Sequence, residues 1–518
     1  MEAPKKESRL TAGSAQFERK VLLLSIFVAG LCSIIYELLI GTTSTYFLGD
    51  SVKHFSITVG IYMAAMGLGS YLSRFMKQHL VANFILVEII LAFCGGVSVP
   101  VLYLLFSWDV GYMAGMIFCI FIIGVLTGFE IPLLSRILSD EVALRENLSN
   151  VLSLDYIGAL IATLCFPFLI LPFVGLFKTS LIFGLINLGI GVINIRFLKD
   201  RIQSQYRRLL RMGLWLTGVF IALILLFSNA LLAKWEQGLY TDRIIDVRQT
   251  PYQRIVLTKR KNDVRLYLEG NLQFSSLDEY RYHEVLVHGP MSLSGPVGNV
   301  LILGGGDGLA ARELLKYKSV QRVTIVDLDP EVQKIANENP HIRSINEGSL
   351  EDSRVNVMNE DAFQFMRSRP EMYDLIIADL PDPNNVSLSR MYSKEFYNWV
   401  HSSLKSGGIF VTQASSPLFS SSAFWSIEQT LRATKFVHTY PLHAYVPSFG
   451  DWGFVMASDR QLDIANPDLI SDLKFLDKGQ FASLFTFSTD HKNAKSEVNT
   501  IDRPILSKLY HEGWKQWK

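Results

Sequence analysis

The pattern of apolar and polar positions divides this chain into two unlike parts. Up to about residue 232, long apolar runs follow one another at roughly 21–45, 56–76, 83–106, 110–134, 152–176, 179–197 and 212–232. About 20 apolar residues cross the hydrocarbon core of a bilayer, so each run is a candidate span. A series of such runs excludes a cleaved signal peptide as the explanation. From residue 235 the period changes. The alternating runs YQRIVLT and DVRLYLEG flank the turn-like KRKND and predict a small antiparallel sheet within 235–295. After Gly295 strand-like runs at 299–303, 321–326, 354–358, 373–379, 408–413 and 452–457 alternate with helix-like stretches such as 308–317 and 330–338. That alternation predicts a doubly wound parallel sheet of Rossmann-like type. The expected organisation is a tail (1–20), a helical membrane domain (21–232), a β subdomain (235–295) and an α/β domain with a C-terminal extension (296–518). The polar stretch after about 460 is expected to wrap the outside.

Composition sharpens the division. Hydrophobic residues make up 49% of the chain and charged residues 19%, with the charges concentrated after residue 232. The formal net charge is +1, and no basic stripe is interleaved with aromatics, so no nucleic-acid partner is expected. Cys32, Cys94, Cys119 and Cys165 all sit in apolar runs, without metal or disulfide spacing. Basic residues cluster before the first run (Lys5, Lys6, Arg9, Arg19, Lys20) and after the second, fourth and sixth. The positive-inside rule therefore puts the N-terminus in the cytoplasm. Seven crossings would leave the second half on the opposite side. A run interrupted by Pro167 and Pro172 is the candidate for a re-entrant segment that would make the number even. Acids within the runs include Glu37, Glu88, Glu130 and Asp155. Carboxylates are costly in a bilayer and usually face a bundle interior. Glu37, Glu130 and Asp155 form a candidate intramembrane polar site for a cationic polyamine; the plainer reading is hydrogen bonding between helices.

The candidate chemistry lies in the second half. Five acids close successive strand-like runs: Asp307 in LILGGGDG, Asp327 in VTIVDLDP, Asp361 in NEDAF, and Asp379 and Asp382 in IIADLPDP. Ligands of open α/β sheets bind outside the carboxyl ends of the strands, so these acids are expected to converge. Such a pocket suits a nucleoside with free hydroxyls and a cationic partner, not a phosphate. Gly306, Gly308 and Ala311 also fit a loose dinucleotide pattern, but Asp307 inside the loop would repel a pyrophosphate. Asp327 can bond ribose hydroxyls, and Asp361 with Ala362 suits an adenine contact. Asp379 and Asp382 can hold a protonated amine and accept its proton, as an attacking amine requires. The plainer alternative is that these aspartates only cap helices.

Together with YQRIVL (252–257), LYLEGNLQFSSLDEYRYHEVLVHGPM (266–291), MYSKEFY (391–397) and GGIFVTQ (407–413), these segments resemble the spermidine synthase (polyamine aminopropyltransferase) family. The multi-span N-terminal part is similar to the family's membrane-bound branch. The resemblance implies transfer of the aminopropyl group of decarboxylated S-adenosylmethionine, a co-substrate, to an amine, putrescine by default, with no cofactor or metal. It implies that Gln253, His283 and Asp307 contact the donor's tail or sugar, that Asp327 and Asp361 hold ribose and adenine, and that Asp379 is the general base. Tyr282, Asp382 and Gln413 would hold the acceptor. The resemblance also implies a dimer and a lipid-bilayer location in the cell membrane. Two departures stand out: Leu309 where the family loop has a second glycine, and Phe449 where an acceptor-binding tyrosine is common. His288 is expected to be structural. Competing readings are a membrane methyltransferase and a polyamine transporter or sensor.

Overall fold

The computed structural model describes residues 12–48, 51–108, 110–138, 144–368, 371–492 and 495–517. Lys5, Lys6 and Arg9 of the tail lie outside the described residues. The chain divides into two compact units, Met1–Thr241 and Asp242–Lys518.

Among the described residues, the first unit holds seven helices long and apolar enough to cross a membrane, from 22 to 33 residues each. Small residues let them approach closely. A Cβ on Gly69 would stand 2.0 Å from the Val125 carbonyl oxygen, and one on Gly128 2.2 Å from that of Met66. The helices Ser51–Leu72 and Tyr112–Leu138 therefore touch backbone to backbone, the packing that glycine allows between spans. The proline-interrupted run is not split into short half-helices. Leu144–Cys165 passes through a π-type turn at Phe166–Ile170 into Leu171–Val174. Local widening of this kind accommodates proline in a spanning helix. A shorter helix, Ser228–Leu239, closes the unit, and its Trp235 donates to the Tyr103 carbonyl at 2.6 Å.

The second unit begins with four antiparallel strands paired in chain order: β1 (Arg243–Gln249), β2 (Arg254–Arg260), β3 (Asp263–Leu268) and β4 (Asn271–Ser275). The helix Glu279–Met291 leads into β5 (Asn299–Gly304), β6 (Arg322–Asp327), β7 (Val355–Asn359), β8 (Tyr373–Asp379), β9 (Leu404–Gln413), β10 (His438–Val446) and β11 (Gly450–Ser458). These form one sheet in the order β10-β11-β9-β8-β5-β6-β7. The five strands from β9 to β7 are parallel, and β10 and β11 run antiparallel. Val300, Leu301, Ile302 and Leu303 of β5 are all fully buried. Such an unbroken apolar run belongs to a strand covered on both faces. The strand order reverses between β5 and β8, which opens a crevice at their carboxyl ends.

Three strands, β1, β4 and β10, escaped the sequence pattern, all at sheet edges. β10 carries Pro441, which an edge strand tolerates because its missing N–H costs no ladder bond. β1 is half exposed and rich in charge, so apolar alternation does not mark it.

The C-terminal extension is tied down rather than loosely wrapped. Leu462, Leu476, Phe481 and Leu484 are buried in the core. Glu284, 1% exposed, accepts the backbone N–H groups of Lys474, Phe475 and Leu476 at 2.7, 2.8 and 2.9 Å. Glu284→Ala leaves several backbone donors without a partner, each costing about 1–3 kcal/mol. The variant is expected to unfold several degrees lower in a thermal melt monitored by circular dichroism; an unchanged midpoint would refute the tie.

Candidate active site

The carboxyl ends of β5, β6, β7 and β8 frame a cavity of about 390 Å³. All ten residues given a catalytic or binding role in the second half of the sequence line it: Gln253, Tyr282, His283, Asp307, Asp327, Asp361, Ala362, Asp379, Asp382 and Gln413. The glycine loop brings them close. Gly304 lies in the left-handed region (φ 83°), and a Cβ there would stand 2.0 Å from the Asp379 carbonyl oxygen. A Cβ on Gly306 would stand 2.7 Å from Asp327 Oδ2, the atom to which its N–H donates at 3.0 Å. These two positions need glycine for close approach between strand ends.

Asp307 and Asp379 are held through one oxygen and Asp327 and Asp361 through both, and each keeps capacity for a ligand, since a carboxylate offers about four lone-pair sites. Asp307 Oδ1 accepts the Leu309 N–H at 2.9 Å. Asp327 accepts the N–H groups of Gly306 and Asp329, both at 3.0 Å. Asp379 Oδ1 accepts the Tyr282 hydroxyl at 2.7 Å. Asp382 Oδ1 has no hydrogen-bond partner among the described residues. Asp361 is the most engaged: it accepts the Phe363 N–H at 2.9 Å and the Arg390 guanidinium at 2.6 Å.

Burial and charge tune the group. Burial pushes the Asp307 carboxyl up to about 6; the nearby His283 opposes this and Asp379 reinforces it. Burial likewise raises Asp327, and it raises Asp382 to about 7. His283 behaves the other way. Its burial disfavours charge, but Glu279 overrides this and holds the imidazole up to about 9. His283 Nδ1 donates to Glu279 Oε2 and to the Glu279 carbonyl, both at 2.9 Å. Burial alone would raise Glu279; His283 and Arg312 instead hold it down to about 2. Arg312 reaches both Glu279 oxygens at 2.9 Å.

Sequence reasoning missed three parts. Glu279 and Arg312 form the counter-charge beneath His283; their one signal is the Glu279–His283 spacing on a helix. Arg390, paired with Asp361, and Tyr510 of the helix Leu506–Lys515 also line the cavity. His288 does not line it: it is fully buried, with Nε2 2.6 Å from Glu313 and Nδ1 2.8 Å from the Tyr317 hydroxyl. Gln413 donates to the Leu380 carbonyl at 2.8 Å, and Gln253 to Asp329 at 3.1 Å. Phe449 lines the rim, its ring 6.2 Å from that of Tyr282 and 5.0 Å from that of Trp452.

In the first unit, Glu130 is buried within electrostatic reach of Glu88 and Asp155. Neither Glu88 oxygen nor Glu130 Oε1 has a hydrogen-bond partner among the described residues. Glu37 and Asp155 are half-buried.

Residues 279–466 match the model of the spermine/spermidine synthase domain. A polyamine aminopropyltransferase of Leptospira interrogans is 41% identical over 95% of this chain and 98% of its own length. One from Oceanobacillus iheyensis is 40% identical over 96% and 98% respectively. A crystal structure of spermidine synthase in complex with the transition-state analogue AdoDATO covers 48% of this chain and 87% of its own, at 26% identity and a TM-score of 0.46. Identity of this extent across both units makes the chain a member of the polyamine aminopropyltransferase family of enzymes.

Proposed function

We propose that this enzyme transfers the aminopropyl group of decarboxylated S-adenosylmethionine to putrescine, giving spermidine and methylthioadenosine. The observation that carries the reading is the arrangement around Asp379. Tyr282 pins Oδ1 at 2.7 Å, and Oδ2 accepts no hydrogen bond among the described residues, which leaves it to take a proton. Asp382, with its unpartnered Oδ1, sits in the same cavity. In this reading the acceptor's ammonium is drawn to Asp379 and Asp382. Loss of a proton to Asp379 frees the nitrogen lone pair, which attacks the methylene carbon beside the sulfonium. The carbon–sulfur bond breaks and its electron pair returns to sulfur. The leaving group is then a neutral thioether, so no metal is required to stabilise it.

The remaining acids serve the donor. Asp327 keeps lone pairs for two ribose hydroxyls. Asp307, with one free oxygen, meets the donor's terminal ammonium. Asp361 with Ala362 takes the adenine edge, and its pairing with Arg390 means that the adenine amino group shares this carboxylate with a guanidinium. His283 and Gln253 border the donor's sugar and tail. Tyr282 and Gln413 position the acceptor end, Gln413 by bracing the Leu380 carbonyl. The seven apolar helices support a location in the cell membrane, with lipid as their surroundings.

Incubation of the purified full-length protein with decarboxylated donor and a panel of amines, read by mass spectrometry, tests the reading. Putrescine is expected to gain one aminopropyl group. A donor that retains its carboxylate is expected to give no transfer, since like charge against Asp307 costs several kcal/mol. Methylated product from that donor would overturn the reading in favour of a methyltransferase. Asp379→Asn is expected to slow turnover about 10²–10⁴-fold, the range for a general base. Its donor affinity should stay within a few-fold of wild type; full activity in that variant would exclude Asp379 as the base.

The ionisations fix the direction of pH dependence. Asp382, raised to about 7, and Asp307, raised to about 6, serve in their ionised forms. Protonation removes their charge, so kcat/KM for the acceptor is expected to fall as pH drops through about 7. Asp382→Asn is expected to abolish that dependence while lowering kcat/KM at every pH. A flat wild-type profile between pH about 6 and 8 would contradict the assignment.

A further inference from the structure

At the edge of the large sheet, away from the acids of the cavity, a second constellation has no part in the transfer. His443 on β10 and Asp451 on β11 lie on one face of the hairpin: His443 pairs with Gly453 and Tyr445 with Asp451, so the two are diagonal neighbours. His491 approaches from the C-terminal extension, where the indole N–H of Trp425 and the hydroxyl of Ser421 both donate to its carbonyl oxygen. One donor atom from each of the three side chains falls within a 4.8 Å span.

We infer that His443, Asp451 and His491 bind a divalent transition metal of the zinc class, which staples the C-terminal extension to the β10–β11 hairpin.

Three observations carry this. The first is spacing. His443 Nδ1 stands 2.6 Å from Asp451 Oδ1, and His491 Nε2 stands 3.8 Å from Asp451 Oδ2. Ligand atoms around tetrahedral zinc, each about 2.0–2.1 Å from the metal, are about 3.3 Å apart. The observed distances bracket that value, so side-chain adjustment alone can close the site. The second is orientation. His443 Nε2 donates to the Thr486 carbonyl at 2.8 Å and Nδ1 donates to Asp451 Oδ1 at 2.6 Å, so the ring is fixed with Nδ1 facing Asp451 and a metal there would replace the proton shared between them. Metal-ligating histidines are held in this way by the other ring nitrogen. The third is unmet polarity. Asp451 Oδ2, the oxygen that faces His491 Nε2, is buried without a hydrogen-bond partner among the described residues, and His491 is 9% exposed. The Phe487 ring, 4.5 Å from that of His443 and 6.4 Å from that of His491, supplies an apolar wall. Two imidazoles and a carboxylate suit zinc and its neighbours rather than magnesium or calcium, and leave a fourth position for water.

The site's place in the fold gives it a task. Asp451 adjoins Trp452 and lies two residues from Phe449, both on the cavity rim. A bound metal holds the hairpin that supplies this rim. It is structural, and the reaction itself needs none.

The test uses full-length protein, freed of any affinity tag, stripped with a chelator, desalted, exposed to zinc sulfate and desalted again. Wild type is expected to retain about one equivalent of zinc by mass spectrometry and to melt higher than the stripped form. Cobalt(II) should give the visible absorption of a tetrahedral site. His491→Ala and Asp451→Asn, checked for fold by circular dichroism, are expected to lose at least about nine-tenths of the retained zinc and the rise in midpoint. His438→Ala, a histidine on the same strand outside the cluster, should keep both. No retained zinc in wild type, or equal retention in His491→Ala and wild type, would overturn the site. A loss in His438→Ala matching that in His491→Ala would do the same.

Discussion

Five carboxylates share one cavity only where positive charge is built beneath them. Here that charge is His283, held protonated by Glu279, which is itself clamped by both arms of Arg312. The chain of alternating charge continues: Arg312 also meets Glu313 at 2.9 Å, and Glu313 meets His288 at 2.6 Å and Lys316 at 2.6 Å. A buried pair contributes little net stability, but removal of one partner strands the other at a cost of about 3–5 kcal/mol. The network therefore acts less as glue than as a fixed electrostatic floor. It lies between the helix Glu279–Met291, which follows the small sheet, and the helix Leu309–Leu315, which follows the glycine loop. The two elements that must register for a cavity to exist are thus tied by the ions that make it usable.

That floor accounts for the unequal behaviour of the acids. Asp307 lies within reach of both His283 and Asp379, so its proton depends on which neighbour dominates. In the proposed reading a cationic donor tips the balance toward the ionised form, which is the form that binds it. Asp382 stands apart, near Tyr510, Gln413 and Ser415, and burial weighs on it most. In the proposed reading an arriving ammonium supplies the charge that Asp382 lacks. In that reading the acids placed on donor and acceptor differ in how much neutralising charge the protein itself supplies.

Much of this was legible in the chain because the relevant signals are local. The central parallel strands β5, β6 and β8 read as largely apolar runs, since both faces are covered, and an acid closes or follows each of them. Long apolar runs announced the helices of the first unit. What stayed hidden depends on tertiary contact. Pro441 argues against a strand until the strand proves to be an edge. Arg312 reads as one more helical cation until it meets Glu279, 33 positions away. Tyr510 joins the cavity from the extension, which Asn499 ties through its side-chain amide to the carbonyls of Ser389 and Tyr392. Glu88 counted as one of several acids in apolar runs; proximity to Glu130 sets it apart.

In the proposed reading, Phe449 is where discrimination between acceptors is encoded. Its ring packs against Trp452 and Tyr282, and Tyr282 is the residue that pins Asp379. A hydroxyl at this position would offer an amine a hydrogen bond; phenyl offers an apolar wall instead. A site without that group loses little for an acceptor that does not use it and much for one that does, because an unpaired polar group is costly when buried. The wall is carried by the turn between β10 and β11, braced where Asp278 accepts the N–H and hydroxyl of Ser448 at 2.6 and 2.9 Å. The chemistry resides at the ends of parallel strands, which a close-packed sheet holds still. In the proposed reading the choice of amine resides on an edge hairpin, where residues can change without disturbing the acids behind them.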